Sequence, residues 1–456
     1  MKYTCWGAAR QVTGSMHHLE LDSGFQILID CGLDYEKREE ANPNKEFPFD
    51  PKQLDVLVLT HAHIDHSGNI PNLVKQGFRG EIICTEPTAF LLDKLWADSV
   101  SIMNKDRKKS KQKDKLFGYS EVNQSLSQLL TLEFYQEFKL NEEVSMMFYE
   151  AGHILGAGSV YLELKEGEEV KKIGFSGDLG NYNTCLIVDP MPMPELNYLV
   201  TETTYGNRYH QVKKSPEEEL KLYVYNNCVK QEGKLIIPAF SVGRTQAVLY
   251  TLNKLFRSGE LPPVRIYADS PLGMASNSIH DRFKHMLNAE AKAHVSNGHE
   301  LFDFKELNLV EDEEDQNEMN LYRGSSIVVS SAGMLEGGRI QDHISTHIEN
   351  PACTILIAGF CTPGTLGAQL LQGNPIVRIK GRDRRVYANI AQTDVFSAHP
   401  DKDGLKKYID ESNNPNLKEL FLVHGEEESI LEFQEELSAS LNANINAPSK
   451  GQSFEL

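Results

Sequence analysis

Cysteine is scarce in this 456-residue chain: there are seven, an odd number, and no two stand in a C-x-x-C pair. That argues against a disulfide framework and for a reducing compartment, with the cysteines read as core or incidental residues. Long apolar runs are missing too, and nothing near Met1 resembles a signal peptide, so membrane insertion and export are not expected. The expected location is the cytoplasm. No repeat of solenoid length is evident. Positive charge is also short: 46 Lys and Arg face 65 Asp and Glu, a formal charge of −19. This sign opposes broad phosphate binding, so any such function must draw on bound cations or on local basic clusters. A hydrophobic content of 40% over this length provides for two domains with sizeable cores.

Imidazoles, by contrast, are concentrated. His61-Ala-His63-Ile-Asp65-His66 places three histidines and a carboxylate in six residues. The preceding run Leu54-Asp55-Val56-Leu57-Val58-Leu59-Thr60 is apolar and β-branched, and reads as a buried strand. His61 and His63, two apart, can face one side of an extended backbone, while Asp65 and His66 follow after the chain has turned. One tetrahedral ion cannot use all four groups, but two adjacent ions can. Nitrogen and oxygen donors without thiolate favour zinc, then manganese. Other strand-like runs end in ligand-type residues beside glycine: Ile27-Leu28-Ile29 before Asp30, Ser145–Glu150 before Gly152-His153, Lys172–Gly177 before Asp178, and Leu420–Val423 before His424. Each is weak alone. Together they complete a ligand set.

With these residues in place, the chain resembles the metallo-β-lactamase superfamily, specifically its β-CASP ribonuclease branch, over nearly its whole length. Asp30, the His61–His66 cluster, His153 and Asp178 match the superfamily's first four motifs. Thr201-Glu202-Thr203-Thr204-Tyr205-Gly206, Phe396-Ser397-Ala398-His399-Pro400-Asp401 and Leu422-Val423-His424-Gly425-Glu426 resemble the branch's extra motifs. Segments at Gly7–Ser15, Pro238–Arg244, Gly333–Arg339 and Gly364–Gly367 fit as well. Asn181, Asp342 and Cys361-Thr362 depart from the usual pattern at positions near the expected substrate groove.

The resemblance implies an α/β protein: a metallo-β-lactamase αββα sandwich with an inserted α/β β-CASP domain. The expected divisions are 1–205, 206–380 and 381–456, the last returning to the sandwich, with the site in the cleft between domains. It implies two zinc ions, or manganese. His61, His63 and His153 would hold one, Asp65, His66 and His424 the other, and Asp178 both, with Asp30 orienting a ligand imidazole. Catalytic work would fall on Asp65, Asp178, His399 as general acid and Glu202 as its partner. A water held between the ions would attack phosphorus, leaving 5′-phosphate and 3′-hydroxyl ends.

Ser330, Ser331, Gly333 and Arg244, at glycine-rich strand ends, are expected to contact substrate through free backbone N–H groups or charge. Lys380 joins them from the basic stretch Arg378, Lys380, Arg382, Arg384 and Arg385. A second basic stretch, Lys105 to Lys115, is read as a solvated surface. The expected partner is single-stranded RNA, without a membrane, and a homodimer is one option for assembly. Because the chain ends about thirty residues after His424, with room for a helix and a closing strand, internal cleavage is favoured over RNase J-type 5′–3′ trimming. A small-molecule hydrolase would not need Glu202 and His399, a β-CASP DNA nuclease typically lacks the His424 equivalent, and a non-catalytic scaffold would have lost ligands.

Overall fold

The structure, a computed structural model, describes residues 1–35, 44–110, 115–211, 214–362, 364–412 and 415–456, without the side chains of 106–110. Lys111 and Lys113 of the Lys105–Lys115 basic stretch lie outside the described residues. Two compact units emerge. Met1–Tyr182, Asp189–Tyr209 and His399–Leu456 make the first, and Asn183–Val188 with His210–Ala398 the second.

Among the described residues, the first unit has two seven-stranded sheets. One runs Gln452–Glu455, Lys2–Gly7, Met16–Glu20, Gln26–Ile29, Val56–Val58, Glu81–Thr85, Leu129–Leu132, parallel from Gln26–Ile29 onward. The other runs Asn444–Asn446, Glu419–Val423, Tyr198–Glu202, Glu169–Phe175, Gly158–Glu166, Val144–Glu150, Phe138–Lys139, parallel over its first four strands. Side chains alternate across each sheet. Ile27, Ile29, Val56, Val58 and Ile83 meet Val160, Leu162, Ile173, Phe175, Val200 and Phe421 in one core between the sheets. On the far side of the second sheet, Leu199, Leu420 and Leu422 pack against Leu405, Tyr408 and Ile409 of helix Lys402–Ser412 and against Ile430, Phe433 and Leu437 of helix Glu427–Ser438. Helix Glu86–Ser110 lies along the Glu81–Thr85 and Leu129–Leu132 strands of the first sheet. This is the αββα sandwich. Its parallel strands are apolar on both faces because both faces are covered.

Among the described residues, the second unit carries six parallel strands in the order Leu307–Leu309, Arg265–Asp269, Ser326–Ser330, Lys234–Pro238, Cys353–Ala358, Asn389–Thr393. Helices connect successive strands, as the alternating pattern predicts. The division into compact units differs from the expected boundary at 380/381. Asn389–Thr393 pairs in register with Cys353–Ala358, from Thr354↔Asn389 to Ala358↔Thr393. Val377 and Ile379 of the preceding hairpin are buried in the same unit's core. Backbone pairing and burial therefore keep residues up to Ala398 in the second unit. The outgoing boundary falls after Tyr209 rather than at 205, and the short segment 183–188 also joins the second unit, where Asn288 N–H donates to Leu186 O at 3.0 Å.

All seven cysteines are buried and unbridged. No helix among the described residues is long and apolar enough to cross a membrane.

Candidate metal centre

The loops at one end of the sandwich are shaped by short-range forces. Strand Val56–Val58 ends early, and Thr60 N–H donates to Asp30 Oδ1 at 2.8 Å rather than to a neighbouring strand. The chain passes His61, and His63 caps the short helix Ile64–Ser67, which turns Asp65 and His66 to a second point. After Glu169–Phe175, Gly177 adopts φ +57, and a Cβ there would lie 2.7 Å from Thr60 Cβ. Only glycine lets the chain pass so closely and present Asp178. His424 and Asp30 are themselves left-handed, at φ +50 and +61. Such strain persists where surrounding bonds over-determine it: His424 N–H donates to Ala8 O at 2.7 Å, and Asp30 N–H to Val58 O at 3.0 Å.

Two groups of donors result, sharing Asp178: His61, His63, His153 and Asp178, and Asp65, His66, Asp178 and His424. In the first, His63 Nδ1 lies 3.2 Å from His61 Nε2 and 3.1 Å from His153 Nε2, and both of the latter lie 3.6 Å from Asp178 Oδ2. In the second, Asp178 Oδ1 is 3.0 Å from His66 Nε2 and 3.4 Å from His424 Nε2, which is 3.5 Å from Asp65 Oδ2. An ion with tetrahedral bonds of about 2.0–2.1 Å spaces its donors about 3.3 Å apart. The distances fit.

Hydrogen bonding alone does not account for the arrangement. One Nδ1 proton on His63 cannot serve two nitrogens at once. Asp178 Oδ1 and His424 Nε2 are buried without any hydrogen bond, despite the close approach of the Asp178 oxygen to His66. Buried polar atoms are normally paired, and a shared cation supplies what these lack. The residues fit two divalent ions.

A ring of hydrogen bonds orients the donors. His66 Nδ1–H donates to Asp30 Oδ2 at 2.7 Å, and the same oxygen accepts from Thr60 Oγ1 at 2.8 Å. Thr60 Oγ1 is in turn 3.1 Å from His61 Nδ1. One carboxylate thus braces an imidazole from each group, one directly and one through a hydroxyl. Thr204 Oγ1 stands 3.1 Å from His424 Nδ1. The threonines carried no distinguishing signal in the sequence, where a hydroxyl at a strand end is commonplace.

Electrostatics follow the geometry. Burial, with the nearby His66 charge, holds the His61 imidazole well below its ordinary range. Burial likewise lowers His66, but Asp178 and Asp30 outweigh it and hold that ring well above. Asp178 stays well below the usual carboxylate range, since His424 and His66 outweigh its burial.

Beside both groups sits His399. Its ring centroid is 4.6 Å from that of His153 and 5.9 Å from that of His424. Its Nδ1 donates to Glu202 at 2.9 Å and 3.1 Å. Glu202 is buried at the end of Tyr198–Glu202 and also accepts from Leu179 N–H at 2.6 Å. Burial lowers the His399 imidazole, and Glu202 more than reverses this.

The expected substrate contacts all lie in the second unit. Ser330 Oγ is buried and donates to Asp269 O at 2.9 Å. Ser331 Oγ accepts from Ser270 Oγ at 3.1 Å. Arg244 is buried over the Phe240 ring and donates from Nε to Phe396 O at 3.3 Å. Gly333 packs on Phe240. These four gather at the carboxyl ends of the parallel strands. Lys380 does not join them: it is exposed at the hairpin turn and paired with Asp342. Beside Arg244, Gly243 N–H donates to Gln246 Oε1 at 2.7 Å. Unforeseen at this end is Asp269, which accepts from Arg339 Nη1 at 2.5 Å and lies 2.7 Å from His343 Nε2.

Fold and site together define a metal-dependent hydrolase of the metallo-β-lactamase type. Family models agree: the metallo-β-lactamase superfamily matches residues 19–221, the β-CASP domain 245–370, and the Zn-dependent metallo-hydrolase RNA specificity domain 383–448. A ribonuclease of Thermus thermophilus is 34% identical over 431 residues, 94% of each chain. An RNase J-like protein of Methanocaldococcus jannaschii is 28% identical, covering 98% of this chain and 97% of its own. The transcription termination factor FttA of Methanosarcina mazei is 26% identical, covering 98% of this chain and 70% of its own. The chain belongs to the β-CASP family of the metallo-β-lactamase superfamily.

Proposed function

We propose that this protein is a ribonuclease that hydrolyses single-stranded RNA at internal phosphodiester bonds, leaving 5′-phosphate and 3′-hydroxyl ends. The observation that carries this reading is the convergence of two ligand groups on Asp178 with the His399–Glu202 pair beside them. Two divalent ions, zinc by the donor set with manganese as the alternative, supply Lewis acidity and an activated water when bound. His61, His63 and His153 would hold one and Asp65, His66 and His424 the other, with Asp178 available to both groups.

His399 gives a proton to the departing 3′-oxygen. Glu202, accepting from Nδ1, fixes the tautomer and supports the charged ring, so that Nε2 on the opposite edge carries the proton to be given. RNA as substrate is supported by the names of the relatives and by the RNA specificity match over 383–448. Ligands of open parallel sheets bind outside the carboxyl ends of the strands, which supports substrate contacts near Ser331 and Gly333, with Ser330 and Arg244 bracing those loops. Lys380, exposed on the hairpin and paired with Asp342, stays outside this set.

None of the assigned roles requires a free RNA end, so the site can act on an internal bond. A circular RNA tests this, because it offers no terminus. Linearisation by the zinc-loaded protein is expected. A circle that survives while a linear RNA of the same sequence is trimmed from its 5′ end would replace the internal mode with the exonucleolytic one.

A further inference from the structure

Thr204 lies two residues beyond the Tyr198–Glu202 strand, and its hydroxyl stands between two imidazoles with different tasks. Oγ1 is 3.1 Å from His424 Nδ1, 3.2 Å from the His424 carbonyl oxygen and 3.4 Å from His399 Nδ1. A hydroxyl has one proton to donate. The carbonyl oxygen can only accept, so a hydroxyl that donates to it must receive from the ring, which puts a proton on His424 Nδ1. Nε2 is then the bare nitrogen of His424. That atom is buried, makes no hydrogen bond, and faces Asp178 Oδ1 at 3.4 Å and Asp65 Oδ2 at 3.5 Å. An imidazole nitrogen must be unprotonated to bind an ion, and the partner of the other nitrogen decides which one is.

We infer that Thr204 is a positioning residue of the second ligand group: its hydroxyl sets the tautomer of His424 and, through the carbonyl, holds the left-handed backbone that presents the ring. Its own N–H donates to Glu202 Oε2 at 3.3 Å. One residue therefore ties a metal ligand to the carboxylate that supports the acid. The inference rests on the two-ion reading above and names a non-ligand side chain on which that reading depends.

The test compares Thr204→Val, which keeps the shape and loses the hydroxyl, with Thr204→Ser, which keeps the hydroxyl. Zinc affinity is read by competition with a chromophoric chelator, and folding by thermal unfolding of the metal-free forms. In Thr204→Val one of two ions should bind roughly 10–100-fold more weakly, the usual effect of losing a partner that orients a ligand. Thr204→Ser should bind both ions as the unmodified protein does. Equal zinc affinity at both sites in a folded Thr204→Val protein would overturn the inference. If Thr204→Val does not fold, 15N-histidine spectra of the zinc-loaded unmodified protein decide. A proton on His424 Nδ1 supports the role, and a proton on Nε2 overturns it. Neither readout uses RNA, so failure to cut RNA would count against the proposed activity and leave this inference standing.

Discussion

His399 and Glu202 differ from the residues around them in having no place in either ligand group, and this makes their contribution separable. His399→Ala should keep the bound ions while slowing RNA cleavage by roughly 10²–10⁴-fold, the usual worth of a general acid. Glu202→Gln should share the defect, and the double variant should be little worse than either, because the two act as one unit. Loss of an ion from His399→Ala, seen by elemental analysis, would instead make it a ligand. The members of the two donor groups were legible in the sequence, since His61, His153, Asp178 and His424 follow apolar strands and Asp65 and His66 come a turn after His61. Which nitrogen each ring presents was not, because that depends on Asp30, Thr60 and Thr204, brought together only by folding.

A pH test at this scale belongs to His280, far in sequence from the ligands. Burial depresses its imidazole to about 4, and Nδ1–H donates to Ser276 O at 2.8 Å. The folded ring stays neutral where the unfolded one would take up a proton. Its contribution is full above about 6.5 and is lost as pH falls from 6.5 towards 4, up to about 3 kcal/mol. His280→Leu should flatten the fall in unfolding free energy across that window, measured by denaturant titration. An unchanged slope would mean that the ring is already charged in the fold.

At the scale of elements, the apolar runs marked the strands well and their ends poorly. Leu54–Thr60 reads as one strand, yet only Val56–Val58 pairs as one. At its end Thr60 turns out of the sheet, its amide and hydroxyl both engaged by Asp30, an attraction between segments 30 residues apart. Strands buried on both faces make a specific demand on packing. Leu162, fully buried between the sheets opposite Ile173 and Met146, should cost about 2–5 kcal/mol when cut to alanine. Leu222, 41% exposed on helix Pro216–Val224, should cost under about 0.5 kcal/mol. Chemical denaturation distinguishes the two. Equal losses would contradict the assignment of the inter-sheet core.

For the whole molecule, the insertion was legible because the candidate metal-centre residues run up to Glu202 and resume only at His399. The point of return was not, because Asn389–Thr393 can be placed only by its parallel partner, Cys353–Ala358. The charge of −19 likewise misleads as a sum. The two carboxylates among the donors, Asp65 and Asp178, would be more than offset by two divalent ions, since bound cations set the local field. The donors come from 61–66, 153, 178 and 424, segments that only the folded sandwich brings together.

The proposed reaction is metal-dependent hydrolysis of RNA by water rather than attack by the ribose 2′-hydroxyl. Mass spectrometry of the products formed from a single-stranded RNA in 18O-labelled water, with and without a chelator, tests it. One labelled oxygen is expected on each new 5′-phosphate, with an unmodified 3′-hydroxyl on the other fragment and no cleavage once the ions are removed. A 2′,3′-cyclic phosphate, or cleavage that continues in the chelator, would contradict it.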